Sequence, residues 1–211
     1  FNFCQNLKNV VFDKNCKLDA ISNEAFAHSS LIKILIPDCI NQICERAFAR
    51  CNNLKLVDFT DNSKLKIIDK KAFYCSSINT IVIPSCVTQI CEHAFYDCKL
   101  RNVEFKENSE LISIDKSAFS HSLIHSISIP KKTKNIGEKA FSSCDNLHNI
   151  EFIGDEIIID VFCFDNCPKL SVVSFPNAQY VTVFNDDFSS VSSNLSLFFL
   201  PEVKIVMKIN H

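Results

Sequence analysis

The sequence predicts a single α/β solenoid, a right-handed superhelix of about nine stacked repeats in which short parallel strands are joined by short helical or 3-10 turns. Three observations predict it. Phenylalanine recurs at Phe1, Phe26, Phe48, Phe73, Phe95, Phe119, Phe141, Phe164 and Phe188, at spacings of 22 to 25 residues, and follows alanine at Ala25, Ala47, Ala72, Ala94, Ala118 and Ala140. After each Phe and an intervening turn comes a two-residue alternation of apolar positions, as in Ile34/Ile36, Val57/Phe59, Ile81/Ile83, Val103/Phe105, Ile127/Ile129 and Ile150/Phe152, which is the period of a strand. The units also alternate in kind. One ends Ile-Pro (Pro37, Pro84, Pro130), and the next ends in Phe followed by a polar turn such as Thr60-Asp61-Asn62 or Lys106-Glu107-Asn108, giving a doublet of about 46 or 47 residues.

The elements follow in order from one physical requirement. A strand of about three residues cannot bury its apolar side alone, but neighbours stacked about 4.8 Å apart turn each repeated side chain into a file. Phe supplies the spine of that file. The segment before it, as in Gly137-Glu138-Lys139-Ala140-Phe141, has the length of a short helical turn, with Ala as the small residue that lets backbones approach. The chain enters at Phe1-x-x-Cys4-x-x-Leu7, the second half of a unit. This predicts that residues 1–211, one solenoid domain, were cut from a longer array on the N-terminal side. At the other end the pattern decays, with Cys163 and Asp187 in place of Ala and a polar run from Ser189 to Asn194. Residues 189–211 therefore read as an irregular terminal repeat or cap, with a closing strand over Val203 to Ile209.

Composition narrows the function classes. With 47% hydrophobic residues the chain has ample material for a continuous core. A net charge of −2 with no Lys/Arg cluster speaks against nucleic-acid binding. The only glycines are Gly137 and Gly154, too few for a phosphate-cradling loop, a dinucleotide fingerprint or a nucleophile elbow. No apolar run approaches the roughly 20 residues that cross a bilayer, so no membrane insertion is expected of this segment.

The run Ile127-Ser128-Ile129-Pro130 through Asn135-Ile136-Gly137-Glu138-Lys139-Ala140-Phe141-Ser142-Ser143-Cys144 resembles the BspA-type leucine-rich repeat, and the resemblance covers essentially the whole chain. The chain departs from that pattern in keeping Gly only at Gly137, with Ser22, Cys44, Asp69, Cys91 and Asp115 at the equivalent place. The resemblance implies a leucine-rich-repeat solenoid from a surface protein that adheres to host matrix proteins or other cells. It implies a cell-surface or secreted location, with a cytoplasmic one as the alternative. It carries over no catalytic residue.

The candidate chemical motifs have plainer readings. Cys4, Cys51, Cys98, Cys144 and Cys167 each fall three residues after a spine Phe, where a small apolar side chain is wanted. Cys39/Cys86 and Cys44/Cys91 are equivalent positions two units apart, roughly 10 Å, beyond the reach of a disulfide, so core or surface thiols are expected. Cys163-x-x-x-Cys167 has the wrong spacing for a zinc knuckle. His121-x-x-x-His125 imitates a metal pair, yet one member falls in a turn and the other beside a strand. Cys144 with His148, and Cys91 with His93, are close only in sequence. Asn15, Asn62 and Asn108 recur after the strand Phe and read as local Asx turns. Asn194-Leu195-Ser196 is the single glycosylation sequon, with Leu195 on a buried repeat position.

The remaining candidate is the outward face of the strands. Lys33, Leu35, Leu56, Asp58, Thr80, Val82, Asn102, Glu104, Ser126, Ser128, Asn149 and Glu151 form its expected ligand-binding rows, and Val11, Val172, Leu197 and Phe199 extend them. Leu35, Leu56 and Val82 are more apolar than a solvated sheet needs, and exposed apolar patches mark interaction sites. The expected function is noncatalytic protein binding or adhesion through this face, with no cofactor and no metal. The partner would be a protein ligand, such as a host matrix or cell-surface protein. The alternative is an intracellular scaffold of the same fold.

Overall fold

The computed structural model describes residues 1–13, 15–184, 196–199 and 204–208. It shows a parallel-strand β-solenoid of about seven turns. Seven buried spine phenylalanines mark those turns: Phe26, Phe48, Phe73, Phe95, Phe119, Phe141 and Phe164. The expected nine repeats are not all matched by a buried spine ring among the described residues. Phe1 is 72% exposed at the open end, and Phe188 lies outside the described residues.

Each coil carries two strands where the sequence pattern suggested one. The front strands make two four-stranded parallel sheets. The first comprises Lys33–Ile36, Leu56–Phe59, Thr80–Ile83 and Asn102–Phe105, and the second Ser126–Ile129, Asn149–Phe152, Val172–Phe175 and Ser196–Phe199. A back sheet of nine parallel strands runs from Ala20–Ile21 through Gln42–Ile43, Ile67–Ile68, Gln89–Ile90, Ser113–Ile114, Asn135–Ile136, Glu156–Ile159 and Tyr180–Phe184 to Lys204–Lys208. Its inward residue is an isoleucine in most coils, buried at Ile21, Ile43, Ile68, Ile90, Ile114, Ile136 and Ile159. The last strand lies within the closing strand expected at Val203 to Ile209. The polar run 189–194 and residues 194–195 of the sequon lie outside the described residues.

The expected helical or 3-10 turns are absent among the described residues, which contain no helix. The backbone explains why. Two residues in each coil, one two places before the spine Phe and one two places after it, take positive φ: Glu24 and His28, Arg46 and Arg50, Lys71 and Cys75, His93 and Asp97, Ser117 and His121, Lys139 and Ser143, Phe162 and Asn166. A left-handed residue every four breaks any right-handed helix. The amides then alternate in direction. Those of Glu24, Phe26 and His28 donate forward to the carbonyls of Glu45, Ala47 and Ala49 in the next coil, whereas those of Ala25, Ala27 and Ser29 close tight turns on Ser22, Glu24 and Phe26. A helix would spend these amides inside one segment; here every second one bonds the next coil.

Spine rings follow one another at 5.2 to 6.1 Å between centroids, with planes within 14° from Phe26 to Phe164. The spacing is near that of hydrogen-bonded strands, so the coil pitch sets the stack and the rings fill it. Ala47, Ala72, Ala94, Ala118 and Ala140 are fully buried beside them. Gly137 has a specific packing reason: a Cβ there would stand 2.7 Å from the Lys116 amide nitrogen and 2.8 Å from the Asp115 carbonyl carbon, both backbone.

Three residues beyond the spine Phe, Ser29, Cys51, Ser76, Cys98, Ser122 and Cys144 alternate hydroxyl and thiol. Ser29 meets Cys51 at 3.5 Å, Ser76 meets Cys98 at 3.3 Å and Ser122 meets Cys144 at 3.2 Å. The thiols of Cys51, Cys98, Cys144 and Cys167 also donate to the carbonyls of Phe26, Phe73, Phe119 and Phe141. Cys16 and Cys39 correct the expectation of thiols throughout. They sit on adjacent coils with a Cα–Cα distance of 6.7 Å and are disulfide-bonded, within reach as the two-coil pairs are not. The other ten cysteines carry thiols.

Candidate ligand-binding face

The front strands alternate inward and outward residues, and the registers between coils align the twelve predicted positions. Lys33 stands beside Leu56 and Leu35 beside Asp58; Leu56 neighbours Thr80, which neighbours Asn102, and Val82 neighbours Glu104. On the second sheet Ser126 pairs with Asn149 and Ser128 with Glu151. All twelve point outward. Eleven are exposed and Glu151 is half-buried.

The structure does not make them one continuous row. The ladder breaks between Asn102–Phe105 and Ser126–Ile129, whereas the side-chain chemistry changes one coil earlier, after Thr80–Ile83, and gives two fields. The first field is apolar, with Val11 91%, Leu35 54%, Leu56 40% and Val82 44% exposed. A depression of about 960 Å³ over Leu35, Leu56 and Asp58 is walled on one side by post-strand turns that carry Asp13, Asp38, Thr60 and Asp61. The second field is polar. Its depression of about 730 Å³ is lined by Asn102, Glu104, Ser126, Ser128, Asn149 and Glu151. There Asn102 Nδ2 donates to Glu104 Oε1 at 2.6 Å, and Ser128 Oγ to Glu151 Oε2 at 3.2 Å. The turn residues Asp13, Asp38 and Asp61 were not among the predicted site residues, although the polar turn Thr60-Asp61-Asn62 was visible. Its placement along the strand edge depends on how the coil closes, which sequence spacing does not specify.

The remaining sequence candidates land apart from this face or in plain roles. His121 packs edge-on against Tyr96, and His125 stacks on His148 at 6.4 Å between ring centroids. Cys144 is buried against the Phe119 carbonyl, while His148 Nδ1 lies 2.6 Å from the Asn146 carbonyl oxygen. Burial pushes the Cys98 thiol up to about 12, with hydrogen bonds to Ser76 opposing it, and burial with the Asp115 and Asp69 carboxylates does the same for Cys91. Both are poor nucleophiles near neutral pH. Asp13, not Asn15, supplies the side-chain acceptor in the first polar turn, taking the Asn15 amide at 2.8 Å, while Asn108 contributes a positive φ. Among the described residues no group of three or more His, Cys, Asp or Glu could hold a metal ion, and no helix is long and apolar enough to cross a membrane.

A family profile described as a BspA type leucine rich repeat region, in six copies, matches residues 1–65 and 66–196. No curated protein sequence matches the chain. Solved structures do. The pneumococcal vaccine antigen PcpA is 20% identical over 95% of this chain and 62% of its own, with a TM-score of 0.53, a likeness of fold. A leucine-rich repeat protein from Bacteroides ovatus ATCC 8483 is 23% identical over 99% of this chain and 64% of its own (TM-score 0.48). A leucine rich cell surface protein from Faecalibacterium prausnitzii A2-165 is 21% identical over 87% and 65% (TM-score 0.48). The chain thus spans less than two thirds of the length of each.

Proposed function

Since the chain belongs to the BspA-type leucine-rich-repeat family, we propose that it is a noncatalytic binding module of a cell-surface or secreted protein, engaging a protein ligand through the front strand face. The observation that carries this reading is the cluster of exposed apolar side chains Val11, Leu35, Leu56 and Val82, the last three on front strands and interleaved with Asp58 and Thr80. Such a field has the composition of an interface centre with a polar rim. The ligand class is a host matrix or cell-surface protein. The Cys16–Cys39 disulfide supports an oxidising compartment, where such bonds persist.

An intracellular scaffold of the same fold is the second reading, favoured by the ten cysteines that remain thiols. Counting thiols in protein isolated from its native source, alkylated under denaturing, non-reducing conditions, separates the two: ten modified cysteines favour the first reading and twelve the second. The face itself is tested by binding the purified chain to a panel of matrix and cell-surface proteins. Val82→Asp and Glu104→Lys should each weaken capture by about tenfold or more if they lie at the centre of the contact. Unchanged binding in both variants overturns the assignment of the face.

A further inference from the structure

We propose that a notch on the turn flank, away from the front strands, binds an acidic saccharide, a pyranose ring carrying a carboxylate or sulfate. The position immediately after the spine Phe is tyrosine in two successive coils, Tyr74 and Tyr96, whose rings stack at 5.3 Å. In the two coils before them it is alanine, Ala27 and Ala49, both buried. Loss of two rings from one row leaves a notch of about 410 Å³ with the alanines as its floor. That volume falls in the range of small-ligand sites, roughly 300–1,000 Å³.

Its walls are chemically mixed. Phe3 and His28, stacked at 4.3 Å, and Arg50 form one side; they share the same left-handed backbone conformation, which sets them in one row. Glu24, Arg46 and Lys71 form the other, and Tyr74 closes the end. Elsewhere on this flank Lys70 and Lys116 each meet a carboxylate of the next coil, Glu92 at 2.8 Å and Glu138 at 2.5 Å. At the notch Arg46 meets Glu24 and Glu45, but Arg50 and Lys71 have no carboxylate within 4.0 Å among the described residues. They lie instead 5.9 and 6.0 Å from the Tyr74 ring centre. Two cations without a direct ion pair, beside an aromatic wall, attract an anion, and the guanidinium can clamp a planar carboxylate or a sulfate. The aromatic surfaces suit the C–H face of a sugar. Glu24, held by Asn2 Nδ2 at 3.1 Å, adds an acceptor for hydroxyls that an anionic aromatic ring would leave unused.

The site does not depend on the strand-face reading, and its test keeps them apart. Calorimetric titration would use three tetrasaccharides: heparin-derived, hyaluronan-derived and neutral chitotetraose. At least one acidic probe binds and the neutral one does not; heparin alone assigns sulfate recognition, hyaluronan alone carboxylate. Ala49→Tyr gives this coil the residue its two successors carry and should weaken binding by about tenfold or more by filling the notch. Arg50→Glu with Lys71→Glu should do the same by reversing the charge, whereas Val82→Asp leaves it unchanged. Absence of binding by both acidic probes, equal binding of the neutral one, or undiminished binding by both notch variants overturns the proposal.

Discussion

The buried phenylalanine file and the outward row of the front strands lie on the same coils and repeat with the same pitch, yet one is uniform and the other is not. From Phe26 to Phe164 every spine position holds the same ring, because each must fill the same volume between two identical neighbours. The outward row runs Val11, Leu35, Asp58, Val82, Glu104, Ser128, Glu151 with no such rule. The pitch constrains what lies inside and leaves free what lies outside. Variation along the outer row therefore reports on what touches it, and its division into an apolar and a polar field is a property that the stacking did not impose.

Substitutions can break that contrast in graded steps. Phe95→Ala empties the file at its middle and should cost about 3–5 kcal/mol by urea unfolding, since both neighbouring rings lose a partner. Gly137→Ala asks two backbones to separate and should cost about 1–3 kcal/mol by the same measurement, although alanine is otherwise the mildest of replacements. Ser143→Gly should raise stability by up to about 1 kcal/mol, because a left-handed residue with an exposed edge gains from losing its Cβ. Leu35→Ser, at the residue between the buried Ile34 and Ile36, should move stability by no more than about 0.5 kcal/mol. A cost approaching that of Phe95→Ala would mean that the outward row is part of the core.

The smallest effect concerns the ion pairs that bridge coils on the turn flank. Hydrogen bonds from Lys70 and Lys116 hold the Glu92 and Glu138 carboxyls below the usual carboxylate range. Because the folded value is the lower one, their stabilisation is complete above the ordinary carboxylate pKa and is lost as pH falls through the depressed values. The pairs are solvent-exposed, so the change is small and fades with salt. The midpoint of thermal unfolding measured from pH 7 to pH 3 at low ionic strength should fall less steeply in Glu92→Gln/Glu138→Gln than in the parent chain.

The recurring Phe made the solenoid legible because a file of large side chains has a long, regular signature. The back sheet was not legible as strands: Ile43 or Ile90 stands alone in a two-residue element, too short to show a period of two. Ile90, Ala94, Phe95 and Cys98 also fall at spacings that fit one side of a helix, so the turn imitated one. What decides against it is the positive φ at residues such as Lys71, Arg50 and Ser117, types that give no local signal for that conformation. The Cys16–Cys39 bond escaped because Cys16 stands where the equivalent units carry Ser63 and Ser109, so no thiol recurs at that position to draw attention to a pairing. Outward positions of the front strands were readable from alternation alone; the break in their ladder, and the notch on the other flank, arise from how particular coils meet.

The alternation of hydroxyl and thiol down the column beside the rings has a bearing on growth of the array. Inserting two coils keeps every sulfur opposite an oxygen, whereas inserting one sets sulfur against sulfur, as already happens where Cys167 follows Cys144 and its thiol is driven upward by that neighbour. Lengthening in even steps preserves the column's chemistry. An odd step sets two buried thiols against each other, and among the described residues this chain carries one such contact near its far end.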